Sequence, residues 1–288
     1  MITIENEKLK ASIHPLGGEL QSLYHKQNNL EYMWNGDPVF WPRVSPVLFP
    51  IVGGLKEDSF IYQGKTYTLP KHGFARDTEF AGEKTADHKA TFTLKSSAET
   101  KSSYPFDFIL QLHYELDKET IRITYQVSNP AEETMYFSIG AHPAFAVPIT
   151  ENTQYEDYYL EFKQAETLKQ WPLDGNFLEL EPVRFLQNEK QIPLKKELFY
   201  KDAIVIKKPA SESIALLSSK THHGINFHFE GFPYLGIWAA KDAPFVCIEP
   251  WCGIPDSVDH NQQIEQKEGI VALDSRRQWE RTWAVECL

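Results

Sequence analysis

Phe108 to Leu116 (FILQLHYEL), the turn Asp117-Lys118-Glu119 and Thr120 to Val127 (TIRITYQV) make up the stretch that decides the fold class. Apolar and polar side chains alternate along both runs, which is the period of a strand with one covered face. Asn129-Pro130 closes the second run, because proline has no N–H to donate to a ladder. The passage predicts an antiparallel hairpin.

The pattern continues in both directions. Upstream, Phe60-Ile61-Tyr62 and Thr66-Tyr67-Thr68-Leu69 flank Gln63-Gly64-Lys65, a turn whose glycine suits a positive φ. Lys89 to Lys95, Tyr136 to Ala141, Ala203 to Ile206, Ser213 to Leu217 and Phe245 to Ile248 are further strand candidates bounded by turn residues. Long segments with a 3.6-residue apolar period are scarce, so helical crossovers are not expected. The expected architecture is all-β, a meander of antiparallel strands in two stacked sheets that cover each other's apolar faces. Thr150 to Pro193, rich in Glu, Gln, Leu and Pro with weak periodicity, is expected to carry long loops. No fixed-length repeat, low-complexity tract or flexible linker marks a boundary, so residues 1–288 are expected to form one domain.

Composition narrows the function. A chain of 288 residues with 42% apolar and 13% aromatic content can bury a large core. Its 40 acidic and 29 basic residues give a formal charge of −11, which repels phosphate backbones and anionic membranes. Nucleic acid and membranes are therefore not expected partners, and no run approaches the ~18 consecutive apolar residues of a spanning helix. Three sparse cysteines (Cys247, Cys252, Cys287) and the opening MITIENEKLK, without a charged-then-apolar leader, fit a reduced cytoplasmic protein. Phosphate-loop, dinucleotide and Gly-x-Ser-x-Gly fingerprints are missing. No metal is expected, since neither His222-His223 with His228 nor Cys247 with Cys252 has structural-zinc spacing. Nothing in the chain chooses between monomer and homodimer.

Several polar groups have the chemistry needed to move protons on a neutral polyol. Along Tyr136 to His142, Phe137, Ile139 and Ala141 share one side, while Ser138, Gly140 and His142 share the other, leaving room above Gly140 for a ligand. Pro143 biases His142 toward an extended backbone, although for this residue taken alone a histidine packed at a sheet edge and bonded to a carbonyl is the favoured reading. Glu249 follows Phe245-Val246-Cys247-Ile248, with Phe245 and Cys247 on its own side. An apolar floor of this kind raises a carboxyl pKa and a nearby cation lowers it; the bland alternative is a solvated glutamate. His72 and Arg76 flank Gly73-Phe74-Ala75 in a glycine-bearing turn and can converge on one ligand, the arginine fork holding adjacent hydroxyls or a phosphate. A surface pair of Arg76 with Asp77 or Glu79 competes with that reading. Asp202, where a loop enters Ala203 to Ile206, can accept from sugar hydroxyls or form an Asx-type turn. Trp41, Phe74 and Trp251 offer flat faces suited to the C–H side of a pyranose, with core packing as the usual alternative.

Four motifs occur in order: Ser45-Pro46-Val47-Leu48-Phe49-Pro50-Ile51-Val52-Gly53, Leu69-Pro70-Lys71-His72-Gly73-Phe74-Ala75-Arg76-Asp77, Gly140-Ala141-His142-Pro143-Ala144-Phe145 and Glu249-Pro250-Trp251-Cys252-Gly253-Ile254-Pro255-Asp256-Ser257. Together they resemble the aldose 1-epimerase family, or galactose mutarotases, and with Glu268-Gly269-Ile270 they fit its LacX-type branch. The resemblance implies a large antiparallel β-sandwich of the galactose mutarotase kind and a cofactor-independent isomerase that interconverts sugar anomers. It further implies that His142 protonates the ring oxygen, Glu249 takes the anomeric hydroxyl proton, and His72 and Asp202 bind the sugar. Galactose mutarotases proper carry an arginine in a Gly-Arg-x-Ala-Asn-Arg run where this chain has Pro50-Ile51-Val52-Gly53-Gly54. Arg43 and Arg76 are candidates for its role, as in the branch resembling hexose-6-phosphate epimerases.

The expected partner is thus a free or phosphorylated aldohexose, with Arg43 and Arg76 on the phosphate in the second case. A carbohydrate-binding module without turnover is the competing class. A glycosidase lacks its second carboxylate. In the forward direction Glu249 is expected to start ionised and His142 protonated.

Overall fold

Ile109–Asp117 and Thr120–Ser128 form the expected hairpin, with Leu112 opposite Tyr125, in a computed structural model that describes residues 1–288. Leu110, Leu112, Tyr114 and Leu116 are buried on the first strand, and Ile121, Ile123, Tyr125 and Val127 on the second. The alternation has become a single buried face.

The hairpin lies inside a nine-stranded antiparallel sheet. Its spatial order is Glu189–Pro193, Tyr158–Glu166, Ser213–Ser218, Ile225–His228, Gln278–Cys287, Thr120–Ser128, Ile109–Asp117, Lys89–Lys95 and Ala81–Ala86. A second large sheet runs Val183–Arg184, Lys169–Trp171, Ile204–Lys207, Tyr234–Trp238, Phe245–Cys252, Ile139–Ala141 and Val47–Leu48, and Ala144–Ala146 also pairs with Phe245–Cys252. Both sheets feed one continuous core, to which the first contributes Leu110, Tyr125 and Phe162 and the second Ile206, Ile237 and Ile248. A smaller sheet of Ile2–Glu5, Leu9–His14, Glu19–His25 and Leu30–Glu31 adds Ile4, Leu9 and Leu23 to that core. The hairpin of Ser59–Tyr62 and Lys65–Thr68 turns through Gln63 and Gly64, at φ 49° and 74°. No helix is long and apolar enough to cross a membrane, and all three cysteines are free and buried.

Three expectations are corrected. Thr150 to Pro193 is not mainly loop, because Tyr158–Glu166 enters the nine-stranded sheet between Glu189–Pro193 and Ser213–Ser218. Tyr158, Leu160 and Phe162 alternate inward, a period masked by the charged residues around them. Tyr136 to Ala141 is not one strand: the Ser138 N–H donates to the Pro50 carbonyl at 2.8 Å, and the chain changes sheet there. Met135–Phe137 pairs with Val271–Leu273, whereas Ile139–Ala141 pairs with Val47–Leu48 and Phe245–Cys252. The strand beginning at Phe245 also runs past Ile248 to Cys252, keeping Pro250 in the sheet at the loss of one ladder donor.

Candidate active site

Strand register brings His142 and Glu249 together. Before Pro143, Ile139 pairs with Cys252 and Gly140 with Trp251; after it, Ala144 pairs with Cys247 and Phe145 with Val246. Both ladders keep one register, which sets His142 directly opposite Glu249. Cβ atoms of opposed residues lie about 4.5–5.5 Å apart, close enough for these side chains to meet. His142 Nε2 is 3.3 Å from Glu249 Oε2.

The pair is nearly dry, with His142 8% and Glu249 2% exposed. The Trp41 ring stacks on the imidazole at 4.9 Å and 29°, Trp238 meets it edge-on at 5.6 Å, and His72 stands perpendicular at 5.9 Å. Burial lowers the His142 pKa to about 3, with Arg76, Lys71 and Arg43 adding repulsion. Burial also pushes Glu249 well above the usual carboxylate range; Asp202 reinforces the shift and Lys71 opposes it. Two such groups in contact share one proton, and burial favours the uncharged arrangement with that proton on the carboxyl. For the free protein this reverses the expected ionised Glu249 and protonated His142, because separated charges are costly in so dry a place.

His72 and Gly73 both adopt left-handed backbone, at φ 68° and 70°. A Cβ on Gly73 would stand 2.3 Å from the Phe49 carbonyl oxygen, so only glycine fits. The turn lets His72 and Gly53 clasp each other: the His72 N–H donates to the Gly53 carbonyl at 2.9 Å, and the Gly53 N–H donates to His72 Nδ1 at 3.1 Å. An accepting Nδ1 leaves the ring proton on Nε2, and burial keeps the imidazole neutral. His72 is therefore a built hydrogen-bond donor. The strained φ costs about 1–3 kcal/mol, of the kind that collects at functional sites.

Arg76 lines the same cavity, with Nη2 donating to the Lys71 carbonyl at 2.8 Å and Nε 3.5 Å from Asp77. Arg43 does not line it. Its Nη2 pairs with Asp77 at 2.7 Å and its Nη1 reaches the Arg76 carbonyl at 3.5 Å, so it braces Arg76 from behind. Asp202 lines the cavity at φ 101° and accepts the N–H of the next residue, Ala203, on Oδ1 at 2.7 Å, a contact short of the two-residue reach of the expected Asx-type turn.

Two aromatic expectations change. Phe74 is not at the cavity, because its ring packs on Phe49, Tyr104 and Phe108 in the core. Trp251 is at the cavity, but it also fills the space above Gly140 that was expected to hold a ligand. A Cβ on Gly140 would lie 2.6 Å from the indole Cδ1, and a Cβ on Gly236 would lie 2.4 Å from Cζ2. Gly236 pairs with Glu249 itself, so the indole lies across two glycines beside the carboxyl. Its N–H lies near enough to Glu249 to draw the carboxyl pKa down slightly, without a hydrogen bond of ordinary geometry.

Sequence and fold comparisons give the family. The model of a family described as aldose 1-epimerase matches residues 1–273. The chain belongs to the aldose 1-epimerase family. It is 37% identical over 282 residues to "Protein LacX, chromosomal" of Lactococcus lactis subsp. lactis, covering 94% of each chain. It superposes with a TM-score of 0.94 and 34% identity on a galactose mutarotase related enzyme from Lactobacillus acidophilus, covering 100% of this chain and 97% of that one. A "Putative glucose-6-phosphate 1-epimerase" of Escherichia coli (strain K12) is 29% identical over 162 residues, 49% of each chain.

In this aldose 1-epimerase family member the cavity measures about 690 Å³, and His72, His142, Asp202 and Glu249 all line it. Sequence reasoning missed Lys71, Trp238, Tyr200, Lys201 and Lys241, which line it too. Lys71 carried one available signal, its place directly before His72. Trp238 carried another, since it follows Gly236 by two residues in a strand and so shares that residue's face. Tyr200 and Lys241 sit on two loops joined by the Tyr200 hydroxyl donating to Asp242 at 2.6 Å, a contact no local pattern announces.

Proposed function

We propose that this protein is a cofactor-independent isomerase that interconverts the α and β anomers of a hexose. The observation that carries the reading is His142 Nε2 at 3.3 Å from Glu249 Oε2 in the wall of a sugar-sized cavity. One proton held between two buried groups is what ring opening requires: one oxygen of the hemiacetal gives up a proton while the other receives one. Sugar hydroxyls and Lys71 favour the carboxylate form of Glu249 and move the shared proton to His142. Glu249 then takes the O1 proton as His142 protonates the ring oxygen. The C1–O5 bond breaks, an aldehyde forms at C1, and C1 turns about its bond to C2. Reclosure on the other face returns both protons. Positioned acid–base groups contribute about 10²–10⁴-fold each, or about 3–5 kcal/mol off the barrier. His72 Nε2–H and Asp202 hold hydroxyls, and Trp41 and Trp251 flank the apolar side of the ring.

A second reading, a 6-phosphorylated hexose, is favoured by one observation. Lys71, Arg76, Lys201 and Lys241 bring four cations to the cavity of a chain whose net charge is −11. Such a local reversal suits an anionic sugar. Arg43 contributes through Arg76 in either case. Polarimetry of glucose and galactose beside their 6-phosphates tests both readings. Acceleration of the free sugars supports the first, acceleration restricted to the phosphates supports the second, and no acceleration with saturable binding leaves a binding module.

A further inference from the structure

The acid–base pair has a third neighbour that anomerisation leaves idle. Cys247 precedes Glu249 by two residues on the same strand and so projects from the same face. Its Sγ, a His142 ring nitrogen and a Glu249 carboxylate oxygen all lie within 4.8 Å of one another. No linear spacing reveals this set, because register rather than sequence proximity assembles it. We propose that His142, Cys247 and Glu249 form an inhibitory site for a thiophilic divalent cation of the zinc class, which occupies the catalytic pair and excludes sugar.

Geometry, charge and donor type support the site independently. Tetrahedral zinc with bonds of about 2.0–2.2 Å to nitrogen and oxygen sets those two ligand atoms about 3.3–3.5 Å apart. His142 and Glu249 already stand 3.3 Å apart. The sulfur lies within 4.8 Å of both other ligand atoms, so side-chain rotation would be needed to bring it to the metal as a third ligand. Binding displaces the thiol proton and the proton shared by the pair, so one dication replaces two protons and the buried cluster gains no net charge. Lys71 and Arg76 therefore do not repel the metal-loaded site more than the free one. A thiolate among the ligands selects zinc or cadmium over magnesium or calcium, which prefer all-oxygen shells.

One feature makes the site reversible. Histidines that hold a resident metal almost always donate their other ring N–H to a fixed acceptor, and losing that acceptor typically costs about 10–100-fold in affinity. His142 Nδ1 is buried and makes no hydrogen bond to another residue's side chain. The site thus suits a metal that comes and goes.

The inhibitory consequence rests on the proposed reaction, whereas binding does not, and the experiment separates them. The full chain is titrated with cobalt(II) chloride while thiolate-to-cobalt charge-transfer absorption is followed, and zinc chloride is then added in competition. Expected results are a thiolate band, its displacement by zinc, and release of two protons per zinc. Anomerisation should stop with zinc and return on chelation. Cys247→Ala should remove the band and weaken zinc binding at least tenfold while anomerisation without metal persists. The wild-type band remains decisive if that variant does not fold. An absent thiolate band, or equal zinc affinity in folded Cys247→Ala, overturns the site. A protein that shows the band but anomerises no sugar keeps the site and loses the reaction.

Discussion

Replacing Gly236 by alanine tests whether the Trp251 indole sets the geometry of Glu249. Gly236 pairs across the ladder with Glu249, and a Cβ there would stand 2.4 Å from Cζ2 and 2.6 Å from Cη2 of the indole. Carbon atoms pack at about 3.5–4.0 Å, so the ring must retreat by about 1 Å. Its other end is bounded at Gly140, where a Cβ position lies 2.6 Å from Cδ1, so the ring cannot simply pivot onto the sheet. Overpacking of this sort costs about 1–3 kcal/mol, read as a lower urea midpoint with unchanged slope. A displacement of about 1 Å beside a reacting group costs about 10²-fold in rate, read by polarimetry. Adding Gly236→Ala to a Trp251→Leu protein should cost nothing in stability, because the clashing atoms are gone. The two substitutions should therefore couple by about 1–3 kcal/mol. Gly236→Ala as stable and as fast as the wild type would refute the reasoning.

The pH profile follows from the shared proton. The pair holds one proton above the His142 pKa of about 3 and below the raised Glu249 value, so kcat/KM should stay flat from just above 3 up past the ordinary carboxylate range. Activity should fall in acid near 3 and again on an alkaline limb; an acid limb at the ordinary histidine value of 6.5 would contradict this. Acid stability should report a second buried pair, in which Lys267 Nζ donates to Asp256 Oδ1 at 2.5 Å and the Lys56 N–H donates to Oδ2 at 2.9 Å. Although burial alone would raise it, the nearby His260 ring at 3.4 Å and the hydrogen bond and charge of Lys267 hold Asp256 at about 2 instead of 3.8. A depressed carboxyl pKa stabilises the fold above the unfolded value of 3.8, and that contribution is lost as pH falls toward about 2. About two units correspond to roughly 2–3 kcal/mol. Burial lowers the Lys267 pKa, so the pair is worth less than this at neutrality, yet Lys267 stays charged throughout the acid window. Stability below pH 4 should therefore drop more steeply in the wild type than in Asp256→Asn/Lys267→Met, and parallel curves would exclude the assignment.

What was legible in the sequence had short-range causes. Lys89 to Lys95 and the Gln63-Gly64 turn appear where alternation and turn chemistry put them. Tyr158–Glu166 was hidden because its inward set of Tyr158, Leu160 and Phe162 is interleaved with charged residues that resemble loop composition. His72, His142 and Glu249 were found by motif and Asp202 by its place where a loop enters a strand, and the structure brings all four to one cavity. Their mutual geometry was not legible, since opposing His142 to Glu249 depends on a ladder between distant segments. Phe74 shows the converse limit: two residues after the cavity-lining His72, its ring packs against the core residues Phe49, Tyr104 and Phe108 instead of the cavity. The resting proton also escaped sequence reasoning, because it depends on how completely Trp41 and Trp238 exclude water.

The most direct measurement is the anomerisation rate of Glu249→Gln. Glutamine keeps the shape of the neutral carboxyl that burial favours in the free protein, so the fold and sugar binding should be retained while the group that exchanges a proton is gone. The account predicts saturable sugar binding with kcat reduced by about 10²–10⁴-fold. Wild-type mutarotation by a folded Glu249→Gln protein would contradict it.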